Sequence, residues 1–134
     1  MDFYVDKTIK TSDNKDYEKN PYDKGHLAPA ADFNCTRELL YLTFTYLNCS
    51  LQQENLNRTT WRLLEVRERE LAKTHKVVVV EIRCIFGPKS IKLPTGATVP
   101  TAYRKTIKYD KKIEVYYFKN EKPLSTDFTK YKVK

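Results

Sequence analysis

Residues 54–73 read ENLNRTTWRLLEVRERELAK. The stretch holds no Gly or Pro and is rich in Leu, Arg and Glu, which predicts one long helix over Glu54–Lys73. Asn57, Trp61, Glu65 and Arg69 recur every four residues. At about 100° per residue such a stripe drifts about 40° per step, so the four share one broad side. Leu56, Leu63, Leu64 and Leu71 occupy the adjacent arc and are expected to face a core. An amide, a carboxylate and a guanidinium beside an apolar arc can line a site at the core's rim. Helix stabilisation between Glu65 and Arg69 explains the same spacing, and spacing alone favours it.

Working outward, Lys76–Phe86 contains Val77-Val-Val-Val-Glu-Ile and reads as a mostly buried strand stopped by Gly87-Pro88. Thr101–Tyr109 and Lys112–Phe118 read as a β-hairpin turned at Asp110-Lys111. Lys119–Lys134 is polar with a few spaced apolar residues. Upstream, Thr43–Leu47 is β-branched and aromatic and predicts a strand. Asn34-Cys-Thr-Arg-Glu supplies capping residues for a short helix near Thr36–Tyr41. Pro21–Asp32 reads as irregular, and Phe3–Val5 as a short strand followed by a loop. The sum is α+β, with one long helix on a mainly antiparallel sheet.

The chain has 134 residues, enough for a single domain over 1–134 and too few for two. Hydrophobic residues make up 40%, which allows a core and excludes wholesale disorder. The longest apolar run is Val77–Val80, and no signal peptide or membrane-spanning segment is visible. Cys35, Cys49 and Cys84 lack metal-ligand spacing and read as reduced, mostly buried thiols, with one disulfide as the alternative. Net charge is +8. Residues 76–134 hold 14 Lys+Arg against 5 Asp+Glu, so the excess lies wholly in that part. Such a field attracts polyanions such as nucleic acid; a solvated lysine surface accounts for it equally well.

There are two histidines. His75 lies among lysines at the predicted helix end and reads as a surface residue. His26 sits in Tyr22-Asp-Lys-Gly-His-Leu-Ala-Pro-Ala-Ala-Asp32, between a glycine and a tight Ala/Pro segment. On its own it reads more readily as structural than as catalytic. Asn48 and Gln52 are polar residues in a segment otherwise fit for burial, consistent with a capped turn.

Taken together, Asp23-Lys-Gly-His-Leu-Ala-Pro-Ala-Ala-Asp32, Thr43-Phe44, Asn48 with Gln52, and Leu56-Asn57-Arg-Thr-Thr-Trp61-Arg-Leu-Leu-Glu65 resemble the DNA/RNA non-specific endonuclease family. Phe86-Gly-Pro88 and Val99-Pro-Thr-Ala-Tyr-Arg-Lys105 look like two further blocks of that family. The resemblance covers roughly Phe3 to Asn120, with the blocks in order.

The resemblance implies a ββα-metal, or His-Me finger, core: His26 ending a first strand, Thr43–Leu47 forming the second, and the helix supplying a metal ligand. It implies a Mg²⁺-dependent, sugar-non-specific endonuclease acting on DNA and RNA and leaving 5′-phosphates. His26 would be the general base and Asn57 the protein ligand of Mg²⁺, with Mn²⁺ as a substitute. Glu65 would orient metal-bound water, Arg69 would contact phosphate, and Asn48 would shape the site around the histidine. Lys24 stands where the family has arginine, keeping the charge and losing the two-pronged grip. Leu51 replaces the usual proline. The chain is also short at both ends relative to the family, with no upstream phosphate-binding arginine. These departures leave a second reading open: a weak or inactive nucleic-acid-binding module on the same fold. No membrane partner is implied, and the oligomeric state is open, a homodimer included.

Overall fold

The computed structural model describes residues 3–33 and 35–134. A two-stranded antiparallel sheet pairs β1 (Tyr22–His26) with β2 (Cys49–Gln53), setting Gly25 opposite Ser50 and His26 opposite Cys49. Helix α1 (Arg37–Leu42) lies between them, capped by the Thr36 side chain accepting from the Leu39 N–H at 3.1 Å. A long helix follows β2. It opens at 54, passes through a wide π turn at Leu56–Thr60, and continues as α2 (Trp61–Thr74). A second antiparallel sheet has the order β3 (Val79–Ile85), β4 (Ala102–Tyr109), β5 (Lys112–Lys119).

The helix and hairpin form as their patterns require. Tyr103, Lys105, Ile107 and Tyr109 alternate inward along β4 and are all buried. They meet Leu56, Trp61, Leu64 and Leu71 of the helix and Tyr116 and Phe118 of β5. Leu63, expected in the core, is only half-buried. Trp61 is fully buried, its ring 5.4 Å from Tyr103 and 5.8 Å from Phe118. The hairpin turns through Asp110 (φ 43°) and Lys111 (φ 62°), the two left-handed residues that a tight two-residue turn needs. His75 ends α2, and its Nδ1 lies 2.5 Å from Asp110 Oδ2 while its ring rests on Tyr109, 4.8 Å away. It is a half-buried tie between helix and hairpin, not a surface residue.

Several expectations fail. The second strand is Cys49–Gln53, not Thr43–Leu47. Thr43–Leu47 instead folds into a connection that ends in a 3₁₀ turn at Tyr46–Asn48. Its aromatic side chains pack on Phe3 and His26, so tertiary contacts override local β preference. Phe3–Val5 contributes one bridge, Tyr4 to Thr45, rather than a strand. Conversely, Tyr22–His26 is regular strand where the residues alone read as irregular. β3 is shorter than Lys76–Phe86 and largely exposed, because among the described residues it pairs only with β4. Cys35 is exposed and Cys49 and Cys84 are half-buried; all three are free thiols.

Candidate functional site

The side chains of β1 alternate between two surroundings. Asp23 points to the helix. Its Oδ2 accepts from Asn57 Nδ2 at 2.9 Å, and its two oxygens take Nε and a terminal nitrogen of Arg58 at 2.9 and 2.8 Å. A carboxylate accepts and never donates here, so it fixes the Asn57 amide with its nitrogen inward. The Asn57 Oδ1 is thereby left available as a ligand.

Lys24 and His26 take the other side. Lys24 Nζ donates to Asn14 Oδ1 at 2.7 Å and lies 5.9 Å from the centre of the Tyr46 ring. The His26 ring sits 4.7 Å from Phe3 and 4.7 Å from Phe44, edge-on to the latter. Its Nε2 is buried and meets no partner among the described residues. Burial lowers the His26 pKa, which favours the neutral imidazole, the form that can accept a proton. Asn48 clasps the chain just beyond it: the Asn48 Oδ1 accepts from the Ala28 N–H at 2.8 Å, and Nδ2 donates to the Ala28 and Thr43 carbonyls at 2.8 and 3.0 Å. The Asn48 carbonyl also accepts from the Leu27 N–H at 3.1 Å. Asn48 thus positions the backbone that carries His26.

Further along the helix, Glu65 is 9% exposed and its Oε2 meets no donor among the described residues. Burial pushes its pKa up to about 7, against the pull of nearby Lys105. Arg69 pairs with Asp32, in the loop after β1, at 3.2 Å. That pair borders a cavity of about 490 Å³ walled by Leu27, Pro29, Phe33, Val80 and Ile82. The helix therefore contacts β1 and its following loop at two points, Asn57–Asp23 and Arg69–Asp32, with Glu65 between them in sequence. No hydrogen bond joins His26 to the helix among the described residues.

Sequence reasoning missed the two aspartates as partners of the helix, and it missed Lys105. This lysine is wholly buried, 3.1 Å from Glu68 Oε2 and 3.9 Å from the Trp61 ring centre. The signal was the alternation of β4, which puts position 105 on the face of Tyr103 and Ile107. Gln52, read as part of a capped turn, is a buried β2 residue lying under Gly25.

The sequence profile described as DNA/RNA non-specific endonuclease matches residues 1–134. The chain belongs to that family. Mitochondrial endonuclease G of Bos taurus is 32% identical over 92 residues, 66% of this chain and 31% of that protein. The mitochondrial nuclease of Saccharomyces cerevisiae is 33% identical over 107 residues, 69% of this chain and 32% of that protein. The chain thus spans about a third of the length of these relatives. A crystal structure of the EndoG/EndoGI complex superposes with a TM-score of 0.83 at 28% identity, covering 99% of this chain and 63% of that one. The mixed fold of long helix and antiparallel sheets is that of this non-specific endonuclease family. No helix among the described residues is long and apolar enough to cross a membrane.

Proposed function

We propose that the chain carries a phosphodiester-cleaving site that acts on both DNA and RNA with Mg²⁺ and leaves 5′-phosphates. The observation that carries this reading is the amide of Asn57, held by Asp23 so that only its oxygen is free. The donor set suits Mg²⁺. No cluster of three or more His, Cys, Asp or Glu exists among the described residues, so a cation there keeps most of its waters, as Mg²⁺ does and structural Zn²⁺ does not. Asn57 Oδ1 would be the protein ligand, and Glu65, whose Oε2 meets no partner among the described residues, would orient bound water. When bound, the ion supplies charge stabilisation at the leaving 3′-oxygen.

The remaining work falls to the chain's own groups. The His26 imidazole, whose pKa burial lowers, accepts a proton from the attacking water. Attack on phosphorus is in line, so the base acts on the side of the phosphate opposite the leaving 3′-oxygen. Asn48 holds the His26 backbone in place, and Arg69 and Lys24 supply positive charge toward phosphate. These groups address phosphate and metal and read no base edge, so cleavage is indifferent to sequence.

Plasmid nicking with and without Mg²⁺, run beside digestion of a structured RNA, tests the proposal. Expected is Mg²⁺-dependent loss of both substrates. Salt-sensitive binding with no cleavage identifies a binding module instead. A single discrete cut site on a long DNA rules out the non-specific reading.

A further inference from the structure

β4 turns Tyr103, Lys105, Ile107 and Tyr109 inward, and the lysine is wholly buried among them. Stability alone gives little reason for a charge there, since replacing a buried ion pair by apolar groups is often neutral or stabilising. The contacts of Lys105 are specific. Its Nζ donates to Glu68 Oε2 at 3.1 Å and lies 3.9 Å from the centre of the Trp61 ring. Trp61, Glu65 and Glu68 follow one another at spacings of four and three residues, so they form one stripe of the helix. Lys105 therefore touches that stripe on both sides of Glu65, one turn before it and one turn after it. Glu65 and Glu68 are both buried, so one buried ammonium serves two buried carboxylates, three charges that sum to one negative. The neighbouring Arg69 and Asp32 pair with each other at 3.2 Å. The surplus negative charge stays with Glu65, whose Oε2 meets no donor among the described residues.

We propose that Lys105 is a positioning residue of the cleavage site, a buried ammonium under the helix turn of Glu65 and Glu68 that keeps Glu65 charged for its work on bound water. This rests on the role proposed above for Glu65. Being wholly buried, Lys105 acts only through that carboxylate. The groups that bear on Glu65 come from three elements. Burial is the main force against its ionised form, and Glu68 of the same helix and Asp32 of the loop after β1 add to it. Lys105 of β4 is the foremost opposing charge, ahead of Arg69. Removing the lysine leaves the burial and takes away most of what offsets it.

The test is the pH profile of Mg²⁺-dependent nicking, run beside a ¹³C titration of the Glu65 carboxyl in the metal-free protein. Lys105→Met leaves Glu68 buried without its partner and costs stability. The double variant K105M/E68L replaces the pair with apolar side chains of comparable size and keeps the fold. In both variants the Glu65 midpoint and the acid limb of cleavage are expected to move to higher pH, by about one unit in Lys105→Met. The lost rate returns on the alkaline side. A rate lowered equally at every pH means that Lys105 only packs, and overturns the inference. So does a Glu65 midpoint that both variants leave in place, whatever the cleavage. A wild type with no Mg²⁺-dependent cleavage, beside a midpoint that shifts as expected, overturns the proposed function and upholds the hold of Lys105 on Glu65.

Discussion

Gly25 lies against Gln52 so closely that a Cβ on the glycine would sit 2.8 Å from Gln52 Cβ and 2.3 Å from its Oε1. Gly25 is not among the residues with positive φ, so the contact alone demands glycine. Gln52 is itself buried and cannot swing clear. Gly25→Ala is expected to destabilise the protein by about 1–3 kcal/mol, as overpacking does. It should also slow cleavage, because the strand it spreads ends at His26. Thermal unfolding and nicking rate measure the two effects, and an unchanged melting temperature would contradict the tight contact.

His26→Ala should lower cleavage by roughly two to four decades, the usual weight of a general base. DNA binding should persist, since it draws on the basic half of the chain. Filter binding and nicking, measured on one preparation, separate the two. Equal loss of both would make His26 structural. His75→Ala should leave cleavage intact and cost stability, because His75 ties the helix end to Asp110.

For the metal, Asn57→Ala should abolish Mg²⁺-stimulated cleavage, and a chelator should do the same to the wild type. Asn55→Ala should be nearly silent. Asp23→Ala provides a finer probe: it leaves Asn57 in place and removes the acceptor that fixes its amide. Its expected signature is a raised Mg²⁺ requirement with full rate at saturation. An essential Asn55 beside a dispensable Asn57 would overturn the assignment.

Lys24→Arg restores the family's residue without changing the charge. A guanidinium can bond two phosphate oxygens at once. A gain of about 1 kcal/mol in the transition state is roughly fivefold in rate, with little change in binding. A slower arginine variant would show that the lysine's fit to Asn14 and Tyr46 matters more than the second prong.

Acid stability should report Glu114. This buried carboxylate accepts from Arg67 at 3.0 and 2.6 Å and from the hydroxyls of Tyr109 and Tyr116. Those bonds, Arg67 first, hold its pKa down at about 2. The folded value lies below the unfolded one, so the stabilisation is complete above about pH 4.5 and disappears as pH falls toward 2. Glu114→Gln should cost roughly 3 kcal/mol near neutrality and much less at pH 2. Denaturant melts at both pH values test this; a pH-independent difference would mean that the cost is packing.

The long helix and the hairpin were legible because periodicity and the Asp110-Lys111 turn are local signals. The ordered motif blocks led to Asn57, Glu65 and Arg69, and the structure gathers all three on the side of the helix that faces Asp23, Asp32 and Lys105. Elsewhere local chemistry misled. Cys49-Ser-Leu-Gln-Gln53 has little β preference, yet it is the strand, because β1 needs a partner and Asn48 closes the preceding loop. The valines of Val77–Val80 looked buried, yet Val77, Val79 and Val80 are exposed and Val78 alone of the four packs on the core. Nothing in its chemistry marks Lys105 for burial, which depends on Glu68 and Trp61 closing around it.

The π turn at Leu56–Thr60 contains Asn57, the proposed metal ligand, and precedes the stretch that carries Glu65 and Arg69. Such turns arise where one extra residue is accommodated in an otherwise α-helical chain. Removing that residue would leave α2 docked through Trp61 and swing Asn57 by about 100° around the axis, away from Asp23. The reach of the amide is therefore governed by chain length within a single turn, and a deletion that biochemists would score as conservative could disconnect the ligand from an otherwise intact core.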